Sequence, residues 1–312
     1  MPVSNLVVFR RRLAGQGLTP ASAVPESTVK RAEETAISPA RLVEDAELRA
    51  HPIGSPVPWP DPVAFLNGIQ RMHLVAYAGA APVYLAEIAG AVRERRESRL
   101  TTALEDRRQL VIGRPSALAE AGDAVDGMTT LALPEDEPPH PVRDLAQASR
   151  ALDRARGQLE LDLGRRFRRG SDAWLLVDGS LAESPEWATD PRAVGISRGH
   201  GTLPFDGDNL NNYLRLPAGH RTSIFAPQTR RVAPVHAWGL RLWDWTGKDF
   251  FHGLVRVEVA PGNGVPAMAD VISSRLLAER VPLTAPDPRW DRLLYGMHSV
   301  EQYLRARAGA LA

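Results

Sequence analysis

The chain contains no cysteine in 312 residues. That excludes a disulfide framework, a cysteine-ligated zinc or iron–sulfur centre, and a cysteine nucleophile. Lysine is nearly absent: of 38 basic residues only Lys30 and Lys248 are lysine, and the rest are arginine. There is no excess of either charge, with 38 basic residues against 37 acidic and a formal net charge of +1. A sum that small does not mark a dedicated nucleic-acid binder. No apolar run approaches the roughly 18 residues of a membrane span. Met1 to Leu13 carries Arg10, Arg11 and Arg12 with no apolar stretch behind them, unlike a secretory signal, so the cytoplasm is the expected compartment. The glycine patterns of a P-loop or dinucleotide fold and a His-Glu-x-x-His pair are also missing.

What is present is a globular composition, 44% apolar and 24% charged. The charge is segregated. Ser116 to Val142 holds six acids and no Lys or Arg, whereas Arg192 to Arg256 holds nine basic residues against four acids. A near-zero sum therefore leaves room for a basic face, and the arginines of residues 192–256 are candidates to line it. Residues 1–60 read as an N-terminal arm and proline-rich linker, and 61–312 as the main domain. In the arm, Leu6 to Phe9 suggests a short strand, Arg41 to Arg49 a short helix, and the proline-dense His51 to Pro62 an extended linker.

In the main domain, Val63 to Leu66, Met72 to Tyr77 and Val83 to Val92 read as consecutive antiparallel strands, with Asn67-Gly68 and Gly79 to Pro82 as turns. Arg93 to Arg108 is charged enough for a helix. Leu145, Ala148, Leu152, Ala155, Leu159 and Leu163 keep the 3,4 spacing of one buried face, so a long helix is expected over 142–169. Ala173 to Val177 is continuously apolar, as in a strand buried on both faces. Residues 198–219 read as a long loop. Strands follow near 194–196, 223–226, 237–243 and 253–259, then helices over 270–280 and 289–307. The fold class is mixed α/β.

Several side chains stand where chemistry is done. Asp178 closes the buried strand ahead of Gly179-Ser180, at the strand edge where α/β sheets present ligands; the plain alternative is a turn or capping Asp. Glu160 lies on the long helix between Gly157 and Gly164. A helical glycine costs about 1 kcal/mol against alanine, so something is expected to approach that face closely; the plain alternative is a solvated charged face. Asn67 repeats the strand-end position of Asp178, although Asn-Gly is also the strongest short hairpin signal. His298 sits on the last helix, with Glu301 three residues on to hold its ring; a lone helical histidine is more often structural.

In order, Phe65-Leu66-Asn67-Gly68, the Glu160 helix, Leu175-Leu176-Val177-Asp178-Gly179-Ser180-Leu181, Val194-Gly195-Ile196-Ser197-Arg198, the strand His252 to Val259, and the helix from Arg289-Trp290 to His298 resemble the NurA nuclease family. The resemblance spans about residues 60–307. It implies an RNase H-like mixed sheet flanked by helices, with an N-terminal arm. It implies a deoxyribonuclease dependent on Mn²⁺ (or Mg²⁺) that cuts DNA ends and single strands. It also implies a homodimer working with a HerA-type hexameric ATPase, in DNA end processing or anti-phage defence. By the same resemblance Asn67, Glu160, Asp178 and His298 are the metal-site positions, His298 serving as ligand or proton shuttle. Arg198, where a lysine is common in the family, faces the phosphate.

One position departs from the family pattern. The first motif should end in Asp and here ends in Asn67. Two adjacent divalent cations need several carboxylates to offset their repulsion, and an amide supplies one neutral oxygen. Three readings stay open: an introduced inactivating change, a natural enzyme of weakened activity, or a first motif lying elsewhere. A non-catalytic DNA-binding or adaptor subunit of the same ATPase complex is the competing function, and an unrelated α/β domain the third.

Overall fold

The structure, a computed structural model, describes residues 6–20, 36–37, 39–60, 62–97, 99–199, 202–228, 233–280 and 290–308. The chain begins with α1 (Leu6–Gly15), β1 (Thr19–Pro20), β2 (Ala36–Ile37), β3 (Ala40–Leu42) and β4 (Ala50–Pro52). Three long strands follow: β5 (Val63–Ala78), β6 (Ala81–Arg96) and β7 (Arg99–Gly113). Then come α2 (Pro115–Ala121), β8 (Thr129–Ala132), α3 (Pro141–Arg168), β9 (Trp174–Asp178), α4 (Pro185–Thr189), β10 (Ala193–Ser197), β11 (Thr202–Leu203) and α5 (Gly207–Leu214). The last elements are β12 (His220–Thr222), β13 (Phe225–Pro227), β14 (His236–Arg241), β15 (Leu254–Val259), α6 (Val265–Glu279) and α7 (Tyr295–Arg307).

Among the described residues thirteen strands make one mixed sheet, whose central order is β7-β6-β5-β9-β10-β15-β14. β5, β9 and β10 run parallel, while β6 is antiparallel to β5 and β15 to β10. This is a mixed sheet flanked by helices, the α/β architecture that the sequence led us to expect. Alternation along β5 feeds two apolar layers. Val63, Phe65 and Ile69 join the layer containing α6 and α7, and Ala64 and Leu66 join the one under α3. Helix α3 buries Ala148, Leu152, Leu159 and Leu163, which is the expected stripe. It starts at Pro141, with the His140 side chain accepting from Arg143 N.

Several local expectations are corrected. Leu6 to Phe9 is helical: Leu6, Phe9 and Leu13 are the buried residues of α1, at helical spacing. Arg41 to Arg49 contains strand β3 and bends, because Ala40 to Leu42 pairs with Phe225 to Pro227. Asn67-Gly68 makes no turn; β5 runs straight through it, paired with Ala91 and Gly90 on β6. Arg93 to Arg108 forms the β6–β7 hairpin rather than a helix, with Glu97 in the left-handed region at φ 48°. The 198–219 loop contains α5, which buries Tyr213 beside Phe205 and Phe225. The last helix begins at Tyr295, after a short 3₁₀ turn at Trp290–Arg292; the expected start at Arg289 lies outside the described residues.

The described parts of residues 1–60 cross the main sheet rather than leaving it. β1 pairs with β5, β3 with β13 and β4 with β12. Trp59 is buried, its ring 5.3 Å from that of Trp174. Among the described residues no helix is long and apolar enough to cross a membrane.

Candidate active site

The parallel register sets the site. Leu66 on β5 pairs with Val177 on β9, so the next residues, Asn67 and Asp178, stand side by side where β9 ends. By alternation both side chains leave the sheet on the α7 face, since Phe65 and Leu176 belong to that layer. Asn67 is 2% exposed and its amide is engaged at both ends. Its Nδ2 donates to Met297 O at 3.3 Å, and its Oδ1 accepts from Gly68 N at 2.8 Å. That first bond ties β5 to α7 one residue before His298. Gly296 completes the approach, because a Cβ there would collide with the Phe65 ring.

Asp178 is not a capping residue. Its carboxylate is gripped by Arg198, through Nε at 3.2 Å and through Nη2. Ser180 caps the turn that follows, accepting from Ala182 N at 3.2 Å. Gly179 has φ 136°, a conformation glycine adopts freely. Beneath this turn lies Glu258 of β15, a residue the sequence reading passed over. Its Oε2 accepts from Ser180 Oγ at 2.6 Å and from Leu181 N at 2.9 Å, and its Oε1 accepts from Arg256 Nε at 3.1 Å. The available signal was a pair of opposite charges, Arg256 and Glu258, in the strand Leu254 to Val259, whose other residues are all apolar. Gly195 leaves room for the turn, since a Cβ there would meet Gly179 O at 2.9 Å.

Glu160 reaches the same strand end from the α3 side. It lies over Gly68, where a Cβ would collide with Glu160 Oε1. This explains Gly68: it lets a helical carboxylate settle on the strand. Arg156, one turn earlier, donates from Nη1 to Glu160 Oε1 at 2.5 Å and from Nε to Gln70 Oε1 at 3.0 Å. Gln70 in turn donates to Asp153 Oδ1 at 2.7 Å. Burial pushes the Glu160 carboxyl up to about 7; Arg156 opposes the rise and the charge of Asp178 adds to it. The expectation of a close approach holds for Gly164, where a Cβ would meet Trp187 at 2.9 Å, and fails for Gly157, which faces open space. A groove of about 260 Å³ opens beside Glu160, lined by Gly68, Gln70, Arg71 and Arg156 among others.

His298 is half-buried on α7, and its Nδ1 has no hydrogen-bond partner. Glu301 does not hold that nitrogen; its carboxylate accepts from Arg305 Nη2 at 2.9 Å. Glu160, Asp178 and His298 do not gather their ligand atoms within 4.8 Å of one another, because Asp178 and Glu160 each turn to an arginine. The one such group among the described residues is Glu44, Asp45 and His51. That group is a tie between segments: Glu44 takes Arg221 and Ile224 N, while Asp45 takes Ser223 and His51.

Among the described residues, three of the arginines of 192–256 are spent inside the fold and cannot serve the expected basic face. Arg221 and Arg241 are fully buried and Arg256 nearly so. Arg221 is paired with Glu44 and Asp270. Arg241 donates to the carbonyls of Leu214, Leu216, Phe250 and His252. Arg230 and Arg231 lie outside the described residues. The acidic stretch ends in the first turn of α3, whose first residue, Pro141, lies about 28 Å along the helix from Glu160 at 1.5 Å per residue.

The donor set suits a hard divalent cation in kind: two carboxylates, an amide oxygen and an imidazole nitrogen without a partner. In charge it suits one ion and not two, since Asn67 is neutral and Glu160 and Asp178 supply the only negative charges of the set.

No family model matches the chain, and no curated protein matches it by sequence. Among solved structures it is similar to the crystal structure of the NurA nuclease from Sulfolobus solfataricus. The identity is 12%, 82% of this chain and 81% of that chain are covered, and the TM-score is 0.49.

Proposed function

We propose that the chain is a NurA-like deoxyribonuclease whose centre takes a single divalent cation, Mn²⁺ or Mg²⁺, and is weakened by Asn67. One observation carries this reading. Asn67 and Asp178 stand side by side at the end of β9, with His298 on the helix bonded to Asn67 and Glu160 over the neighbouring Gly68. Asp178, Glu160, His298 and the free lone pair of Asn67 Oδ1 would hold the ion. When bound, such an ion polarises a phosphodiester oxygen and lowers the pKa of its water.

The rest belongs to the chain itself. Glu160 keeps a second carboxylate oxygen that can orient an attacking water. Arg198 holds Asp178 and presents its remaining N–H groups to a phosphate. Glu258 fixes the turn from which Asp178 projects. A homodimer, a HerA-type ATPase partner, a contact role for residues 1–60 and a part in DNA end processing or anti-phage defence complete the proposal.

A second reading, a DNA-binding subunit without activity, is favoured by one specific feature. Both ends of the Asn67 amide are already bonded, and both carboxylates are paired with arginine. Digestion of linear and single-stranded DNA with Mn²⁺ separates the two. The nuclease reading expects slow cleavage that rises at least tenfold in Asn67→Asp and vanishes when Asp178→Ala is added. If Asn67→Asp is inert, alone and with the ATPase, the nuclease reading is wrong. Calorimetric titration with Mn²⁺ should show tighter binding to Asn67→Asp than to the native chain.

A further inference from the structure

We propose that Arg198 and Arg292 form a phosphate-binding pair beside Asp178 that works without metal. Arg292, in the 3₁₀ turn before α7, has no place in the motif set. It is bound to the site all the same, because its Nη1 donates to Arg198 O at 3.2 Å. The pair leaves hydrogen-bonding capacity unused, as Arg10 and Arg93 also do through Nε. Nη1 of Arg198 and Nε of Arg292 are both buried and have no hydrogen-bond partner. Buried polar groups are nearly always paired, and an exception calls for a reason. Arg221 and Arg241 are the contrast within the same chain, since each of their nitrogens has found an acceptor.

Neither side chain is sealed off, since 17% and 28% of their surfaces stay exposed through other atoms, and a ligand engages the two covered nitrogens by turning the guanidinium groups outward. Guanidinium N–H groups call for an anion, and two on different residues call for one with oxygens pointing several ways. A phosphate meets both where a planar carboxylate, already supplied to Arg198 by Asp178, does not. Asp291 does not fill the role. Its Oδ2 is 3.4 Å from Arg292 Nε without a hydrogen bond, and it accepts from Gly253 N at 2.7 Å. With Asp178 and Asp291 close by the cluster is near neutral, so the unpaired N–H groups select the ligand rather than the net charge. The ligand is a phosphate group, either a phosphodiester of single-stranded DNA or free phosphate. This deepens the proposed function by naming a second arginine for the strand, but its test omits divalent metal and so stands apart.

The test is calorimetric titration in EDTA with two probes, a short oligothymidylate and inorganic phosphate. The native chain is compared with Arg292→Gln, Arg292→Lys and Arg143→Gln, the last at the far end of α3 from Glu160. A charge-assisted bond lost from such a pair should weaken binding about tenfold. Arg292→Gln should lose that much and Arg143→Gln should lose nothing. Arg292→Lys keeps the charge without the fork and should fall below the native chain, and it substitutes for Arg292→Gln if that variant does not fold. Oligonucleotide binding that depends on Arg292 assigns the pair to DNA; phosphate binding alone that depends on Arg292 assigns it to a free anion. No binding of either probe by the native chain, or equal binding by the native chain and folded Arg292 variants, overturns the pair. Arg292-dependent binding by a chain whose Asn67→Asp form is inert retains the pair and overturns the nuclease reading.

Discussion

Two sets of arginines share the carboxyl-terminal half of this chain and do opposite things. Arg221 and Arg241, under β12 and β14, are buried with each nitrogen bonded to a carboxylate or a main-chain carbonyl. Arg198, just after β10, and Arg292, in the turn before α7, are partly exposed and each keeps a buried N–H group with no acceptor. Within the first set Arg241 does the work of a turn or a cap, gathering loop carbonyls, and Arg221 ties two carboxylates together. The second set is held in place but not used up. Counting arginines along a segment cannot separate the two, because the guanidinium is the same. What separates them is whether the fold supplies acceptors.

The largest test of this contrast is Arg241→Met. Arg241 is buried without a carboxylate in contact, and burial holds its pKa down at about 10. Its removal strands four carbonyls. We expect a loss of about 3–5 kcal/mol of stability by denaturant titration; a loss under about 1 kcal/mol would break the contrast from the structural side.

Next comes Glu160→Gln. The folded-state pKa of Glu160 is raised from 4.5 to about 7, so the folded chain binds the proton more tightly than the unfolded one. Stability is therefore lost as pH rises from about 4.5 through about 7. The glutamine variant lacks this titration. Its stability relative to the native chain should improve by about 3 kcal/mol between pH 4 and pH 8, measured as two denaturant curves at each pH. A pH-independent difference would show that Glu160 is not a buried acid held near neutrality.

The smallest expected effect is Arg198→Gln. Its pair with Asp178 is partly exposed, and its unused N–H group contributes nothing to folding, so a change within about 1 kcal/mol is expected. A loss as large as that of Arg241→Met would place Arg198 with the structural set and sharpen the contrast to Arg292 alone.

Legibility from sequence followed the range of the interactions. Helix α3 was readable because six apolar residues repeat at helical spacing. The strand ending in Asp178 was readable because it is apolar without a break. The β6–β7 hairpin was not, since Arg93 to Arg108 carries charges that suit an exposed strand and an exposed helix equally. Asn67-Gly68 read as a turn because the pair is a turn signal in isolation. Its real context, a helical carboxylate lying on Gly68 and a helix carbonyl bonded to Asn67, comes from residues about 90 and 230 positions away. Helix α1 was taken for a strand because four apolar residues do not show a period. Glu258 went unread because nothing local tells a buried acid in a strand what it will bond.

By itself, the sequence determined the absence of thiol chemistry, the mixed α/β alternation, the long helix and the order of the motifs. All of these rest on residue type and short-range periodicity. The tertiary structure alone decided that Asn67 and Asp178 are neighbours, that Glu160 is buried on Gly68, and which arginines are spent on carbonyls. These are outcomes of strand register and of acceptors brought from distant segments. Such pairings depend on where the whole sheet places its edges, which no window of adjacent residues contains.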